Sequence, residues 1–148
     1  MKTAAFIALS LFLGSTNAHA YLTGDAKSPE ADRAMAHGIR SVNLYSGYQV
    51  HTITTDGNSF REYVSTSGVV FCVAWNGIAR PDLSQLFGPY YAEYLEAERS
   101  TQKPKGRSEM TVVSPNLKVS HFGHMRAIRG RACVPAQVPS GFDLTLVQ

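Results

Sequence analysis

The chemistry this chain can offer sits in three sets of side chains: two cysteines, a few histidines and a run of arginines near its end. Cys72 lies in Val69-Val70-Phe71-Cys72-Val73-Ala74-Trp75, and Cys133 in Arg131-Ala132-Cys133-Val134. Both contexts are strand-like. No local base stands beside either thiol, and a nucleophilic cysteine needs one to become a thiolate. That leaves a bridge between the two or a pair of buried thiols acting as small apolar groups. Two cysteines are too few for a disulfide-dense miniprotein or a four-thiolate metal site.

His121 and His124 are three residues apart, with His51 as a third nitrogen donor elsewhere. Metal sites recruit such groups. Here Gly123 intervenes at an apparent turn, and residues three apart on a strand face opposite sides. Isolated surface histidines fit better, and no metal or other cofactor is expected. Ser100-Thr101-Gln102-Lys103 matches the S-x-x-K pattern of penicillin-recognising enzymes, but it lies where a helix runs out into a polar loop, without partner motifs. No G-x-S-x-G, P-loop or G-x-G-x-x-G occurs. No catalytic residue is therefore named.

The arginines are more suggestive. Arg126, Arg129 and Arg131, with Lys118 and His124, concentrate positive charge on a chain whose formal charge is only +3. Arg129 and Arg131 share strand parity, so they point the same way. The guanidinium fork suits a bidentate grip on carboxylate or phosphate. The bland alternative is solvated strand ends, or ion pairs with Glu62 and Asp82. His124, Arg126, Arg129 and Arg131 are the candidate binding residues, and Gly123 and Gly130 are read as places where the backbone bends or a ligand approaches closely.

The N-terminus sets the compartment. Lys2 precedes an apolar run from Ala4 to Leu13, and Ala18-His19-Ala20 is a small-x-small cleavage signal. Residues 1–20 read as a secretory signal peptide, cut before Tyr21. The run is about half the length a membrane span needs, and no later stretch is long and apolar enough to span. The mature chain, 21–148, is expected to be exported to the periplasm or beyond. In an oxidising compartment a Cys72–Cys133 bridge is the expected fate of the pair. The near-balanced charge argues against a nucleic-acid partner, which demands a clustered basic face.

These residues need elements to position them. With 44% hydrophobic and 17% charged residues, 148 residues suffice for one globular domain. Residues 21–47 read as a loop and a short helix that opens at Ser28-Pro29 and stops at Gly38. Period-two runs follow from Tyr48 to Thr54 and from Ser59 to Val64, joined by an Asp56-Gly57 hairpin signal. Val69 to Trp75 is apolar throughout, the mark of a central strand covered on both sides. Asp82 then caps a helix whose Leu83, Leu86, Phe87, Tyr90, Tyr91, Tyr94 and Leu95 form one apolar face. Gly88-Pro89 should kink or restart it, because proline lacks the helical N–H donor. Ser100 to Ser108 is a polar loop, and strands resume over 110–113, 117–120 and 125–134. The expectation is a single α+β domain, β-β-β-α-β-β-β, with an antiparallel sheet of about five to six strands and one long amphipathic helix on a face.

Arg61-Glu62-Tyr63-Val64, Gly68 to Phe71, Val73 to Gly77 and Pro81 to Gly88 occur in that order, followed by Gly123 to Ala127 and Gly130-Arg131-Ala132. This order resembles the bacterial family catalogued as domain of unknown function 2844, from about Asp32-Arg33 to Pro139. The resemblance implies a small exported protein and lends neither an activity nor catalytic residues. Cys72, Cys133 and Pro89 depart from the family's pattern, which fits a disulfide private to this chain.

Two function classes remain. One is an exported, non-enzymatic binding or envelope-accessory module, recognising an anionic envelope component or another exported protein. The other is a hydrolase acting on cell-envelope material, which demands a convergent acid–base or nucleophile–base set. With only 11 acidic residues and no recognisable set, the first is favoured.

Overall fold

Seven strands form one antiparallel sheet in the order β1-β2-β3-β4-β7-β6-β5. The computed structural model describes residues 22–24, 38–103, 109–124 and 126–148. The expected leader, its cleavage point and the helix after Ser28 lie outside the described residues. The α+β class and the single antiparallel sheet are as expected; the strand count is seven rather than five to six.

The extra strand is β1 (Ile39–Tyr45), in a stretch read from the sequence as loop and helix. It pairs with β2 (Tyr48–Thr54) across a two-residue turn, where Gly47 takes φ 89°. That left-handed conformation is one glycine adopts without a Cβ penalty. β3 (Asn58–Ser65) returns against β2, and β4 (Val70–Gly77) against β3. β5 (Met110–Val113), β6 (Lys118–His124) and β7 (Ala127–Cys133) form a second meander. The two meanders join at the β4–β7 ladder, which runs from Cys72 opposite Cys133 to Gly77 opposite Ile128. β4 thus lies at the centre of the sheet, as its unbroken apolar run predicts. Cys72 and Cys133 are bonded, with Cα atoms 4.1 Å apart.

The two faces of β4 are covered differently. On one lie α1 (Leu83–Phe87) and α2 (Tyr91–Ser100), separated by a single 3-10 turn over Gly88–Tyr90. This is the interruption expected at Gly88-Pro89. The Asp82 carboxylate accepts from the N–H groups of Ser84 and Gln85, so the helix begins where its cap predicts. Trp75, Phe87 and Tyr94 meet in one core, with ring centroids 6.1 Å and 5.1 Å apart along the series. Leu117, Val112 and Val119 complete that core from the second meander.

The opposite face is covered over part of its width by the segment after Cys133, which contains two short 3-10 turns (Pro135–Gln137 and Leu144–Leu146). Phe142 stands edge-on to Tyr48 and Phe71, both 4.9 Å away. Val147 is buried beside Cys72 and Ala74. This cover stops short of the far ends of β3, β4, β6 and β7, which leaves a stretch of sheet open.

Candidate functional site

Pleating decides which side chains the open stretch carries. Arg61 on β3 is opposite Ala74 on β4, Ala74 is opposite Arg131 on β7, and Arg131 is opposite Ser120 on β6. Residues opposite one another in a ladder share a face. The next row on the same face is Ser59, Asn76, Arg129 and Phe122. A small residue, Ala74, therefore sits between two long cationic ones, with a third arginine one row away. The result is an open groove of about 680 Å³ floored by Ala74 and walled by Arg61, Arg129 and Arg131. A smaller recess of about 120 Å³ shares Ser120 and Arg131 with it and reaches Lys118 and Cys133.

Local contacts hold the arginines in place. Arg61 donates from Nη1 to the backbone oxygen of Gln148 at 2.9 Å. Arg131 donates from Nη1 to the backbone oxygen of Val147 at 3.4 Å, and its Nη2 lies 3.9 Å from the Glu109 carboxylate. That ion pair is half-exposed, so it contributes at most about 1 kcal/mol. Arg129 is exposed and lies over the Phe122 ring, 4.7 Å from its centroid. Such a contact orients a guanidinium without neutralising it. Three guanidinium groups stand here beside the Glu109 carboxylate and the main-chain oxygens of Val147 and Gln148, an arrangement chemically suited to hold an anion.

Of the four candidate binding residues, Arg129 and Arg131 line the groove. His124 ends β6 on the same face by strand parity but does not line it, and Arg126 sits exposed in the turn before β7 with φ 65°. The third groove arginine, Arg61, is 68 positions before Arg129 in the chain. It lies in the period-two run at 59–64, but only the sheet register shows that it meets the other two. Among the described residues, neither acidic group proposed as a partner is placed to pair with Arg129 or Arg131. Asp82 is engaged at the start of α1, and Glu62 is buried on the helix-covered face. Gly130 has a packing use that the sequence did not show. A Cβ built on it would stand 2.2 Å from Cζ2 of Trp75, so its missing side chain makes room for the indole, while the residue also lines the groove.

The histidines are dispersed. His51 is buried on β2, where Arg40 Nη2 lies 3.1 Å from Nδ1 and Gln49 Oε1 lies 3.2 Å from Nε2. Burial, and then the Arg40 charge, lower its pKa. His121 lies on the helix side of β6, its pKa lowered by burial and by Arg80 against the opposing pull of Glu98. His121 and His124 fall on opposite faces, as their spacing predicts. Among the described residues, no three His, Cys, Asp or Glu side chains gather into a metal-binding group. No described helix is long and apolar enough to cross a membrane.

The model of the family described as "Protein of unknown function (DUF2844)" matches residues 18–147. The chain belongs to this family. The expected resemblance is thereby established over nearly the whole of 21–148. No curated protein and no solved structure matches the chain.

Proposed function

We propose that this member of the DUF2844 family is an exported, non-enzymatic binding module that holds an anionic component of the cell envelope in its arginine groove. The observation that carries the reading is the convergence of Arg61, Arg129 and Arg131, from strands far apart in the chain, around the small floor residue Ala74. Guanidinium groups fixed by an aromatic ring and by backbone carbonyls are already oriented, so binding loses little side-chain entropy. The n-, h- and c-region pattern of residues 1–20 supports export. The Cys72–Cys133 bond fits an oxidising compartment.

The groove is tested by comparing two variants that each remove one positive charge. Arg129→Ala lies inside the groove and Arg126→Ala outside it. On an anionic matrix, Arg129→Ala is expected to elute at distinctly lower salt than Arg126→Ala, since only the first removes a charge-assisted hydrogen-bond donor from the site. Co-elution of the two would reject the groove. Export is tested by N-terminal sequencing of material from outside the cytoplasm, which should begin at Tyr21; a start at Met1 would remove that part of the reading.

A further inference from the structure

We infer that the anion taken by this groove is an acidic polypeptide segment, an inference that rests on reading the groove as an anion site. The groove's own contacts point to polypeptide. Every acceptor found on Arg61 and Arg131 among the described residues is a main-chain oxygen or a side-chain carboxylate: Gln148 O, Val147 O and Glu109 Oε1. Tyr63 adds a fourth contact, donating from its hydroxyl to Leu146 O at 2.9 Å. The main-chain oxygens of three consecutive residues, 146 to 148, are therefore held by side chains of β3 and β7. Between them the Val147 side chain is sunk into the sheet face, 1% exposed. Main-chain donors combined with a pocket for one side chain are how extended peptides are recognised. The wall of the groove already displays that arrangement with its own chain.

Charge decides what kind of peptide fits. Arg61, Arg129 and Arg131 outnumber the one carboxylate side chain among the residues that line the groove, that of Glu109. Arg129 lies at the open end over Phe122 and, among the described residues, bonds no carboxylate. An incoming segment that offers main-chain carbonyls to Asn76 and Ser59 and carboxylates to Arg129 and Arg61 would satisfy both features. The Glu109 carboxylate beside Arg131 is the kind of acceptor that further Asp or Glu side chains would bring, and their paired oxygens fit the guanidinium fork.

The test uses the whole mature chain and two carboxylate polymers matched in length and carboxylate number. Poly-L-glutamate carries peptide carbonyls; polygalacturonate carries carboxylates on sugar rings. By calorimetric titration at moderate salt, poly-L-glutamate should bind at least about tenfold more tightly than polygalacturonate. Arg129→Gln should weaken poly-L-glutamate by at least about tenfold, and Arg126→Gln by less than about twofold. Melting temperatures of the same samples confirm that both variants are folded, and Arg61→Gln serves as a second groove variant. If polygalacturonate binds as tightly as poly-L-glutamate, and Arg129→Gln weakens both, the anion site stands and the peptide inference falls. If neither polymer binds, or if the groove variants bind like the unaltered protein, both readings fall together.

Discussion

One added methyl group, in Gly130→Ala, tests how the sheet and its helix-side core depend on each other. A Cβ at this position would lie 2.2 Å and 2.6 Å from two carbons of the Trp75 indole and 2.9 Å from the backbone oxygen of Ser120. Carbon atoms rest about 3.5–4.0 Å apart, so the ring must withdraw by more than about 1 Å. It has little room to do so, being 4% exposed with Phe87 behind it at 6.1 Å between centroids. Overpacking of this sort costs about 1–3 kcal/mol, and the immobile ring places Gly130→Ala at the upper end. For a domain of this size, about 3 kcal/mol lowers the melting temperature by roughly 10–15 °C. Trp75 is the single tryptophan, so its fluorescence reports the strained site directly during thermal or urea unfolding. The same substitution made in a Trp75→Leu background should lose more than half its cost, since the main clash is gone; a double-mutant cycle isolates that coupling. A Gly130→Ala cost below about 0.5 kcal/mol, or an equal cost in both backgrounds, would refute the packing argument.

Further expectations follow from the other contacts. Phe87→Ala empties the centre of the helix-side core, where Phe87 is 0% exposed, and should cost about 3–5 kcal/mol by urea denaturation; a loss under about 1 kcal/mol would mean that the helices do not seal the sheet. The disulfide closes a sequence separation of 61, so replacing both cysteines by serine should cost about 4 kcal/mol on the loop-entropy model. Native protein should resist alkylation until reduced, and two freely alkylated thiols would remove the bond. Neutral His51 accepts the Arg40 N–H at Nδ1, and its folded pKa lies below the unfolded value of about 6.5. Below about pH 6.5 the unfolded chain therefore gains a proton that folded His51 refuses, and stability falls with pH down to the folded pKa. His51→Gln should flatten this acid slope below about pH 6.5, with His121 supplying a remaining part of the same sign; equal slopes for both proteins would contradict it.

Where local chemistry decides structure, the sequence was a good guide. The apolar run at 69–75, the Asp82 cap and the Gly88-Pro89 break each act within a few residues, and each appears where expected. β1 was also within reach: Val42 and Leu44 alternate with Ser41 and Asn43, and Ser46-Gly47 is a turn signal. The exposure of most of this edge strand explains why its pattern is faint. The groove was half legible. Arg129 and Arg131 share parity within one strand, a local fact. Arg61 joins them only through two ladders and a register that no short window contains. The packing role of Gly130 was out of reach for the same reason, because the group that demands its missing Cβ is Trp75, on the neighbouring strand and 55 positions away in the chain.

The seam between the two meanders also has a mechanical meaning. Cys72 and Cys133 face each other across the β4–β7 ladder, so the bond spans the line along which the sheet would part under tension applied at its ends. Everything between them in sequence, including α1, α2, β5 and β6, is enclosed in a covalent loop and bears no load. A chain stretched from its ends should extend only through β1 to β3 and the segment after Cys133. Once the bond is reduced, the hidden loop adds about 200 Å of contour, taking 61 residues at roughly 3.3–3.6 Å each. In an oxidising envelope this half of the domain would thus act as a fixed-length link, and under reducing conditions as slack.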